Sequence, residues 1–456
     1  MFFEVVHQTG LSHMSYIIGG RGKAVVIDPR RDCEIYIDIA RRHDARIIHI
    51  FETHRNEDYL SGSVDLARFT GAEIYHGRRL PFKFGNPVRD GEVFHAGSGK
   101  IIVLETPGHT DESISLAFAD TAFSTEPIAV FTGDTIFVGG TGRTDFYPER
   151  AEEMAGMLYD SITEKLLALG NGVIVHPAHS AGSLCGAGIA AREFSTIGYE
   201  RMHNPVLRAS REQFIRQKLD EQHYKPPYFQ RMHALNLQGR TELGRVPKPS
   251  PMNPDEFAAA IQDGMYVLDV RSAEAYSGAS IPGSQAMPQQ LIGRYAGWHC
   301  PYDRAIGLVA ENETQAGEAV VLLLRMGYDS VKGCLAGSMN AWEKSGREFQ
   351  SIPGIHIYDV LRRIEAGEEF LVLDVRTKAE FDRQHLPNAV NMYVGTIQQH
   401  VHELPENMPL VTFCGSGRRA MVAASILKQH GFSDVRDCLG SASALEAVEG
   451  RTITVG

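Results

Sequence analysis

Short apolar runs that end in polar residues dominate residues 1–244, and each run predicts a strand that leads into a loop. Amphipathic stretches between the runs predict helices, so this part of the chain mixes both kinds of element. The predicted strands cover residues 15–19, 24–28, 47–53, 101–106, 114–119, 129–134 and 173–176. The predicted helices cover residues 33–42, 60–69 and 148–169, and a charge-rich stretch at 208–222 predicts a helical extension.

An internal repeat organises the C-terminal half of the chain. The sequence Val-Leu-Asp-Val-Arg occurs at residues 267–271 and again at 372–376. Each copy follows an amphipathic stretch, and this order of helix and strand indicates α/β units with parallel sheets. Together with a Pro-rich linker before the first copy, the repeat predicts three domains, which cover residues 1–244, 252–347 and 353–456.

Composition and charge exclude several classes of function. Hydrophobic residues make up 43% and charged residues 22% of the chain, as in ordinary globular proteins. A formal net charge of −11 argues against nucleic acid as the main partner, because phosphate binding needs a basic face. No apolar run approaches the about 20 residues of a membrane span, so no membrane partner is expected. The N-terminus lacks a signal-peptide pattern and the 6 cysteines are scattered, which predicts a cytoplasmic protein without a disulfide framework.

Polar side chains end three of the predicted strands, at His54, His109 and Asp134. Two imidazoles and one carboxylate from separate strand ends could occupy three neighbouring faces of a metal ion. Such a facial triad leaves open positions, which suits a non-haem Fe(II) that must bind both oxygen and a substrate. We therefore predict one Fe(II) per chain, with zinc as an ion that the purified protein could carry instead.

Residues 1–185 resemble the metallo-β-lactamase superfamily. Residues 53–59, Thr-His-Arg-Asn-Glu-Asp-Tyr, align with the superfamily motif Thr-His-x-His-x-Asp-His, and the triad followed by His179 matches the superfamily in order. Asn56 and Tyr59 stand where the motif has two histidines that a two-metal hydrolase would use as ligands, so the second metal site is incomplete. An amide is a poor neutral donor and a phenol is largely protonated at neutral pH. The resemblance therefore implies an αββα sandwich with one complete metal site.

A single complete site is similar to that of the persulfide dioxygenases, a mono-iron branch of the superfamily. Residues 140–145, Gly-Thr-Gly-Arg-Thr-Asp, resemble a Gly-x-Gly-Arg-x-Asp segment that lies near the thiol-substrate pocket in this branch. By this resemblance Arg143 would bind an anionic part of the thiol carrier, and His179 would orient or bind the sulfur substrate. Asp58 would hold a ligand histidine in position. The implied reaction oxidises a thiol persulfide, such as that of glutathione or coenzyme A, with O2 to sulfite.

A second candidate site begins at Cys414, which follows the apolar run 410–413 and precedes a helical stretch. The connecting residues are Gly-Ser-Gly, ending at Gly417, and then Arg418 and Arg419. A short Gly-rich loop between a strand and a helix points backbone N–H groups inward, and the helix N-terminus adds a positive end. These groups would hold Cys414 as a thiolate, with either arginine adding charge.

This loop resembles the Cys-x-x-Gly-x-Arg loop of the rhodanese sulfurtransferases through Cys414, Gly417 and Arg419. The resemblance implies that Cys414 moves sulfane sulfur between a persulfide, sulfite and thiosulfate. The first repeat has Glu311 and no cysteine at the corresponding place, so we predict a rhodanese-like scaffold without transfer chemistry there.

The chain as a whole is similar to a persulfide dioxygenase–rhodanese fusion, for which the family leads us to expect a homo-oligomer. Two alternatives stay open. One is a zinc-dependent thioester hydrolase of the glyoxalase II type. The other is a sulfur carrier whose N-terminal domain has lost its chemistry, an interpretation that Asn56 and Tyr59 favour.

Overall fold

The structure is a computed structural model that describes residues 1–8, 10–186, 188–239 and 243–447. The chain divides into two units, Met1–Val246 with Leu324–Gly327, and Pro247–Leu323 with Tyr328–Gly456, as far as these residues are described. Within the described ranges, every helix is too short or too polar to cross a lipid bilayer.

The first unit contains two sheets and the helices that cover them. Its strands are β1 (Phe2–Gln8), β2 (His13–Gly20), β3 (Lys23–Ile27), β4 (Arg46–Phe51), β5 (Glu73–Gly77), β6 (Asn86–Val88), β7 (Val93–Ala96), β8 (Gly99–Glu105), β9 (Ile114–Asp120), β10 (Ala129–Gly133), β11 (Ile174–Pro177) and β12 (Ser195–Thr196). Its α-helices are α1 (Glu34–Arg42), α2 (Ser63–Thr70), α3 (Ala151–Asp160), α4 (Ile197–His203), α5 (Arg211–Asp220) and α6 (Tyr228–Gln238). A π-helical turn, Ser161–Leu166, continues α3, and 3-10 turns lie at Pro148–Arg150, Leu167–Leu169 and Pro205–Arg208.

The two sheets of this unit pack face to face. Each has six strands, in the orders β1-β2-β3-β4-β5-β6 and β12-β11-β10-β9-β8-β7. Their inner faces share one core, to which β2, β3, β8, β9 and β10 all contribute. The outer face of the first sheet packs on α1 and α2, and that of the second packs on α3. The predicted αββα sandwich is therefore confirmed.

The second unit contains two copies of one α/β pattern. Its strands are β13 (Pro251–Met252), β14 (Tyr266–Asp269), β15 (Gln285–Ala286), β16 (Ile306–Val309), β17 (Val331–Leu335), β18 (Gly354–His356), β19 (Leu371–Asp374), β20 (Val390–Asn391), β21 (Leu410–Phe413) and β22 (Val435–Leu439). Its α-helices are α7 (Pro254–Gln262), α8 (Ala273–Gly278), α9 (Ile292–His299), α10 (Glu313–Arg325), α11 (Ser338–Lys344), α12 (Ile357–Glu365), α13 (Lys378–Arg383), α14 (Ile397–His400), α15 (Arg418–Gln429) and α16 (Ser441–Glu446). Two 3-10 turns lie at Gln289–Leu291 and Val401–Glu403.

The two copies have the same topology. One sheet has the order β13-β17-β16-β14-β15 and the other β18-β22-β21-β19-β20. Every neighbouring pair of strands in both sheets is parallel. The internal repeat therefore corresponds to two α/β domains with parallel sheets, as the sequence predicts.

The Asp and the Arg of the repeated Asp-Val-Arg sequence form a buried ion pair in each copy. Arg271 donates to Asp269 at 2.6 Å and to the carbonyl of Ala279 at 2.7 Å. Arg376 donates to Asp374 at 2.6 Å and to the carbonyl of Gln384 at 2.6 Å. Each arginine therefore ties the end of β14 or β19 to the residue that follows the next helix. This shared role explains why the sequence repeats here.

We expect Arg376→Ala to destabilise the second unit by about 3–5 kcal/mol, because it leaves the buried Asp374 carboxylate without its partner. The measurement is urea unfolding of the full chain, monitored with a spectroscopic probe located in the second unit. Arg383→Ala is the matched control, since Arg383 is exposed at the end of α13, the helix that follows Arg376, and should change the stability by less than about 0.5 kcal/mol. Equal midpoints for the two variants would contradict this account of the pair.

Candidate metal centre and sulfur-transfer loop

The triad predicted from the sequence comes together at the carboxyl ends of strands in both sheets of the first unit. His54 follows β4, His109 follows β8, and Asp134 comes directly after β10. One ligand atom from each of the three lies within 4.8 Å of the other two. The ring nitrogens Nε2 of His54 and His109 lie 3.7 and 3.5 Å from Oδ2 of Asp134.

Hydrogen bonds at Nδ1 fix the orientation of both imidazoles. The Thr53 hydroxyl donates to Asp28 at 2.7 Å and accepts from Nδ1 of His54 at 3.0 Å. Nδ1 of His109 donates to the backbone carbonyl of Arg143 at 2.9 Å. Each ring therefore carries its proton on Nδ1 and directs the Nε2 lone pair toward Asp134, which is the usual arrangement of a metal-binding histidine.

The three ligand atoms are buried and have no hydrogen-bond partner among the described residues. Burial lowers the pKa of His54 to about 3 and also lowers that of His109, so both rings are neutral at neutral pH. Burial alone would raise the pKa of Asp134, but the charge of His179 and the hydrogen bond from its Nδ1 outweigh burial and hold this pKa well below its usual range. Buried polar atoms without partners are costly, and a cation at their centre would satisfy all three. Two imidazoles and a carboxylate suit Fe(II) or Zn(II).

A glycine permits the close packing behind this cluster. A Cβ atom on Gly142 would lie 2.1 Å from the carbonyl oxygen of Asp134 and 2.9 Å from Nδ1 of His109. Only a residue without a side chain fits there. The Gly-x-Gly-Arg segment thus positions the ligands through its backbone.

The two positions that depart from the superfamily motif, Asn56 and Tyr59, supply neither of its two histidines. Asn56 turns its amide nitrogen back to the carbonyl of His54 at 3.2 Å. The ring of Tyr59 packs against His13 with centroids 4.1 Å apart, and its hydroxyl has no partner among the described residues. The pair of histidine ligands that this loop would need for a second metal is therefore missing.

Helix α6 holds the backbone of this loop. The side chain of Asn236 donates to the carbonyls of Asn56 at 2.6 Å and Tyr59 at 2.8 Å, and accepts from the Ser61 N–H at 3.0 Å. The Tyr228 hydroxyl adds a bond to the carbonyl of Asp58 at 3.2 Å. The sequence predicts only α5 of this extension, so Asn236 is a site residue that sequence reasoning missed.

The other predicted residues of this site also lie near the triad. Nδ1 of His179 lies 2.7 Å from Asp134, and its Nε2 lies 3.0 Å from Asp58. The histidine that the Asp58 carboxylate contacts is therefore His179, which is not one of the two triad histidines. Arg143 is fully buried, and its guanidinium donates to both oxygens of Asp145 at 2.6 Å and to the carbonyls of Leu184 and Tyr224. Its donors are therefore occupied within the chain, while its carbonyl orients His109.

In the second unit, the predicted loop connects β21 to α15. Cys414 is buried, and its Sγ accepts a hydrogen bond from the N–H of Gly417 at 3.1 Å. The backbone of Cys414 is fixed in turn by the Ser441 hydroxyl, which accepts from its N–H at 3.1 Å. Gly417 has a φ of +91°, a conformation that favours glycine. The backbone turn thus delivers one N–H to the sulfur, as the Gly-rich sequence predicts.

The two arginines of the loop differ in environment. Arg419 donates to both carboxylate oxygens of Glu380, at 2.8 and 2.7 Å, whereas Arg418 is exposed. A Cβ atom on Gly415 would lie 3.2 Å from Nη2 of Arg419, so this guanidinium lies directly beneath the loop. Glu380 was not predicted as a site residue, although an acidic residue recurs as Glu274 in the first copy. That recurrence was the signal that could have identified it.

Family comparisons agree with this architecture. Residues 9–179 match the family model described as the metallo-beta-lactamase superfamily. Residues 253–345 and 357–447 each match the model described as the rhodanese-like domain. The predicted fold class is therefore confirmed for both parts of the chain.

Individual relatives cover different parts of the chain. The persulfide dioxygenase ETHE1 of Bos taurus is 28% identical over 210 residues, which are 44% of this chain and 74% of the relative. A hydroxyacylglutathione hydrolase of Rhodospirillum rubrum is 32% identical over 182 residues, which are 38% of this chain and 65% of the relative. A crystal structure of a metallo-beta-lactamase from Staphylococcus aureus is 32% identical and covers 74% of this chain and 98% of its own, with a TM-score of 0.66.

We expect Asn236→Ala to weaken metal binding by about 10–100-fold, because residues that position ligands commonly contribute that much. The reason is that three backbone groups of the ligand loop lose their partner. Competition with a chromophoric chelator measures the affinity. Gln238→Ala, on an exposed position of the same helix, is the control and should leave affinity unchanged. An Asn236→Ala protein that unfolds more easily yet binds metal normally would refute the positioning role.

Proposed function

From the membership of this chain in the metallo-β-lactamase superfamily, we propose two coupled sulfur reactions. The N-terminal domain is similar to persulfide dioxygenases, and two rhodanese-like domains follow it in the sequence. The N-terminal domain oxidises a low-molecular-weight thiol persulfide with O2 at a single iron site. The last rhodanese-like domain transfers sulfane sulfur through Cys414. The chain as a whole is an enzyme of sulfur metabolism.

One observation carries the first reaction. The buried ligand atoms of His54, His109 and Asp134 converge without partners among the described residues, and the motif histidines for a second metal are replaced. Bound Fe(II) would supply the electron transfer that lets O2 react with sulfur. The balanced reaction converts R–S–SH, O2 and H2O into R–SH, hydrogen sulfite and one proton. The protein contributes the oriented Nε2 atoms, the Asp134 carboxylate and a buried setting that excludes competing water.

The backbone around Cys414 supports the second reaction. The Cys414 thiolate would attack the outer sulfur of a persulfide, giving Cys414–S–S⁻ and releasing the thiol. Sulfite would then take that outer sulfur as thiosulfate and regenerate the thiolate. The Gly417 N–H, 3.1 Å from Sγ, stabilises negative charge on sulfur, and Arg419 supports the loop from below while paired with Glu380. Because both domains share one chain, sulfite made at the first site reaches the second at a raised effective concentration.

Thioester hydrolysis is the second candidate, and the similarity to a hydroxyacylglutathione hydrolase favours it. Asn56 and Tyr59 count against it, because the usual two-metal ligand set is incomplete. Oxygen separates the two reactions, since persulfide oxidation consumes O2 and thioester cleavage does not. Turnover of a glutathione thioester under anaerobic conditions would favour the hydrolase.

We expect His109→Ala to reduce oxygen consumption with glutathione persulfide or coenzyme A persulfide by more than about 100-fold, because loss of a ligand costs more than loss of a residue that orients one. An oxygen electrode and iron analysis of the same samples make the measurement. His95→Ala is the control, since His95 is an exposed histidine of the same sheet. Undiminished oxygen uptake in the iron-free variant would rule out this assignment.

We expect Cys414→Ser to abolish sulfur transfer from thiosulfate or a persulfide to an acceptor, because the hydroxyl is a far weaker nucleophile than the thiolate. Oxygen uptake at the first site should persist, which separates the two activities. Cys334→Ser, in the first repeat, is the control and should transfer sulfur normally. Transfer that survives Cys414→Ser would place the reaction elsewhere.

A further inference from the structure

A short turn at the start of α16 packs against the loop that carries Cys414. The turn consists of Gly440, Ser441, Ala442 and Ser443, and we call it the support turn. The sequence analysis assigns it no role, and the two reactions proposed above use none of its side chains. Its contacts with the cysteine loop are nevertheless numerous enough to decide which backbone groups of that loop face the sulfur.

The hydroxyl of Ser441 connects the cysteine to the neighbouring strand. It accepts from the Cys414 N–H at 3.1 Å and donates to the Cys438 carbonyl at 2.7 Å. Cys438 belongs to β22, which lies beside β21 in the sheet, so the hydroxyl ties the first residue after one strand to the next strand. Ser441 is fully buried, and water therefore has no access to replace either hydrogen bond.

The rest of the support turn binds the carbonyl groups of the cysteine loop. The Ala442 N–H donates to the Cys414 carbonyl at 3.1 Å. The N–H and the hydroxyl of Ser443 both donate to the Gly415 carbonyl at 2.8 Å. In a planar trans peptide the C=O and the following N–H point in opposite directions. The N–H groups of Gly415 and Ser416 therefore point away from the support turn.

The backbone of the support turn is strained at its serine. Ser441 has a φ of +44°, in the left-handed region that favours glycine, and it follows Gly440 with a φ of +71°. A serine remains in such a conformation only where the surrounding structure fixes it. A glycine at position 441 would relieve the strain but would lack the hydroxyl, so the two contributions of this residue can be separated.

The first copy has the same turn behind a loop without a cysteine. Residues 337–338 have φ values of +74° and +54°, and Ala310 follows β16 as Cys414 follows β21. The next N–H in the first copy, that of Glu311, donates to the side chain of Gln315 at 2.7 Å. The strained turn therefore belongs to the fold of both copies, whereas its hydrogen bond to a nucleophilic residue belongs to the second copy.

We propose that Ser441 is a positioning residue for sulfur transfer at Cys414, an inference that rests on the transfer reaction proposed above. Its hydroxyl fixes the Cys414 N–H, and the support turn draws back the carbonyls of the loop, so that N–H groups face the sulfur. One such contact runs from the Gly417 N–H to Sγ at 3.1 Å. When Cys414 carries an outer sulfur as Cys414–S–S⁻, these N–H groups stabilise the negative charge.

Ser441→Gly in the full chain separates this role from a purely structural one. Glycine is favoured at a φ of +44°, so the relieved strain should offset the lost hydrogen bonds and leave the unfolding temperature unchanged. We expect the alkylation of Cys414 by iodoacetamide at neutral pH, and kcat/KM for transfer from thiosulfate, to fall about tenfold, the usual effect of losing one hydrogen bond near a charged group. The midpoint of the alkylation rate against pH should rise by about one pH unit.

Ser338→Gly is the matched control, because it relieves the same strain in the first copy and should leave both rates unchanged. Mass spectrometry of the peptide that contains Cys414 distinguishes its alkylation from that of the other cysteines. Unchanged alkylation and transfer in Ser441→Gly would overturn the proposal, as would equal losses in both variants or a loss accompanied by a lower unfolding temperature. Alkylation needs no sulfur donor, so slower alkylation in a protein that transfers no sulfur would support the positioning role and reject the transfer reaction.

Discussion

The candidate metal site of the first unit depends on two buried imidazoles, those of His54 and His109. Both rings must stay neutral and keep the orientation in which Nε2 faces the Asp134 carboxylate. A buried ring that loses its Nδ1 partner would rotate or protonate, and the ligand set would disperse. The chain meets this requirement with the Asp28–Thr53–His54 chain of hydrogen bonds on one side and the Arg143 carbonyl on the other. Gly142 permits the second of these approaches, because any side chain there would collide with Asp134. Much of the surrounding polar structure serves these two contacts.

The loss of two motif histidines changes how the ligand loop is held. In a two-metal site the ion itself cross-links the loop, because several of its side chains bind the same metal. Here the cross-links run to backbone groups instead, from Asn236 and Tyr228 of α6. The helical extension that follows the sandwich is therefore part of the metal centre's support. Such a loop can tolerate substitution at positions 56 and 59, because its shape no longer depends on those side chains.

Local sequence patterns predicted the elements and the triad well, and long-range contacts poorly. The strand β21 has the predicted bounds, and His54, His109 and Asp134 come together as their strand-end positions suggested. Helix α6 was missed, and the bond from Asn236 to Asn56 spans 180 positions of sequence. The pair of Arg419 with Glu380 spans 39. Neither contact produces a periodic pattern in the nearby sequence. The packing of whole helices and strands decides which loop each side chain contacts, and a local pattern does not record that packing.

The two copies in the second unit separate scaffold from chemistry. Both retain the parallel sheet and the Asp–Arg pair at the end of β14 or β19, so the same packing constraints act on each. They diverge where that sheet meets the next helix. Helix α15 begins with Arg418 and has no acidic residue in its first turn, whereas α10 begins with Glu313. An acidic residue in the first turn stabilises a helix but repels an anion at the helix N-terminus. A first turn without an acidic residue, as in α15, leaves the positive end of the helix available to an anion. The chemical difference between the two copies thus lies in a few residues between strand and helix, whereas the packing of the sheet is common to both.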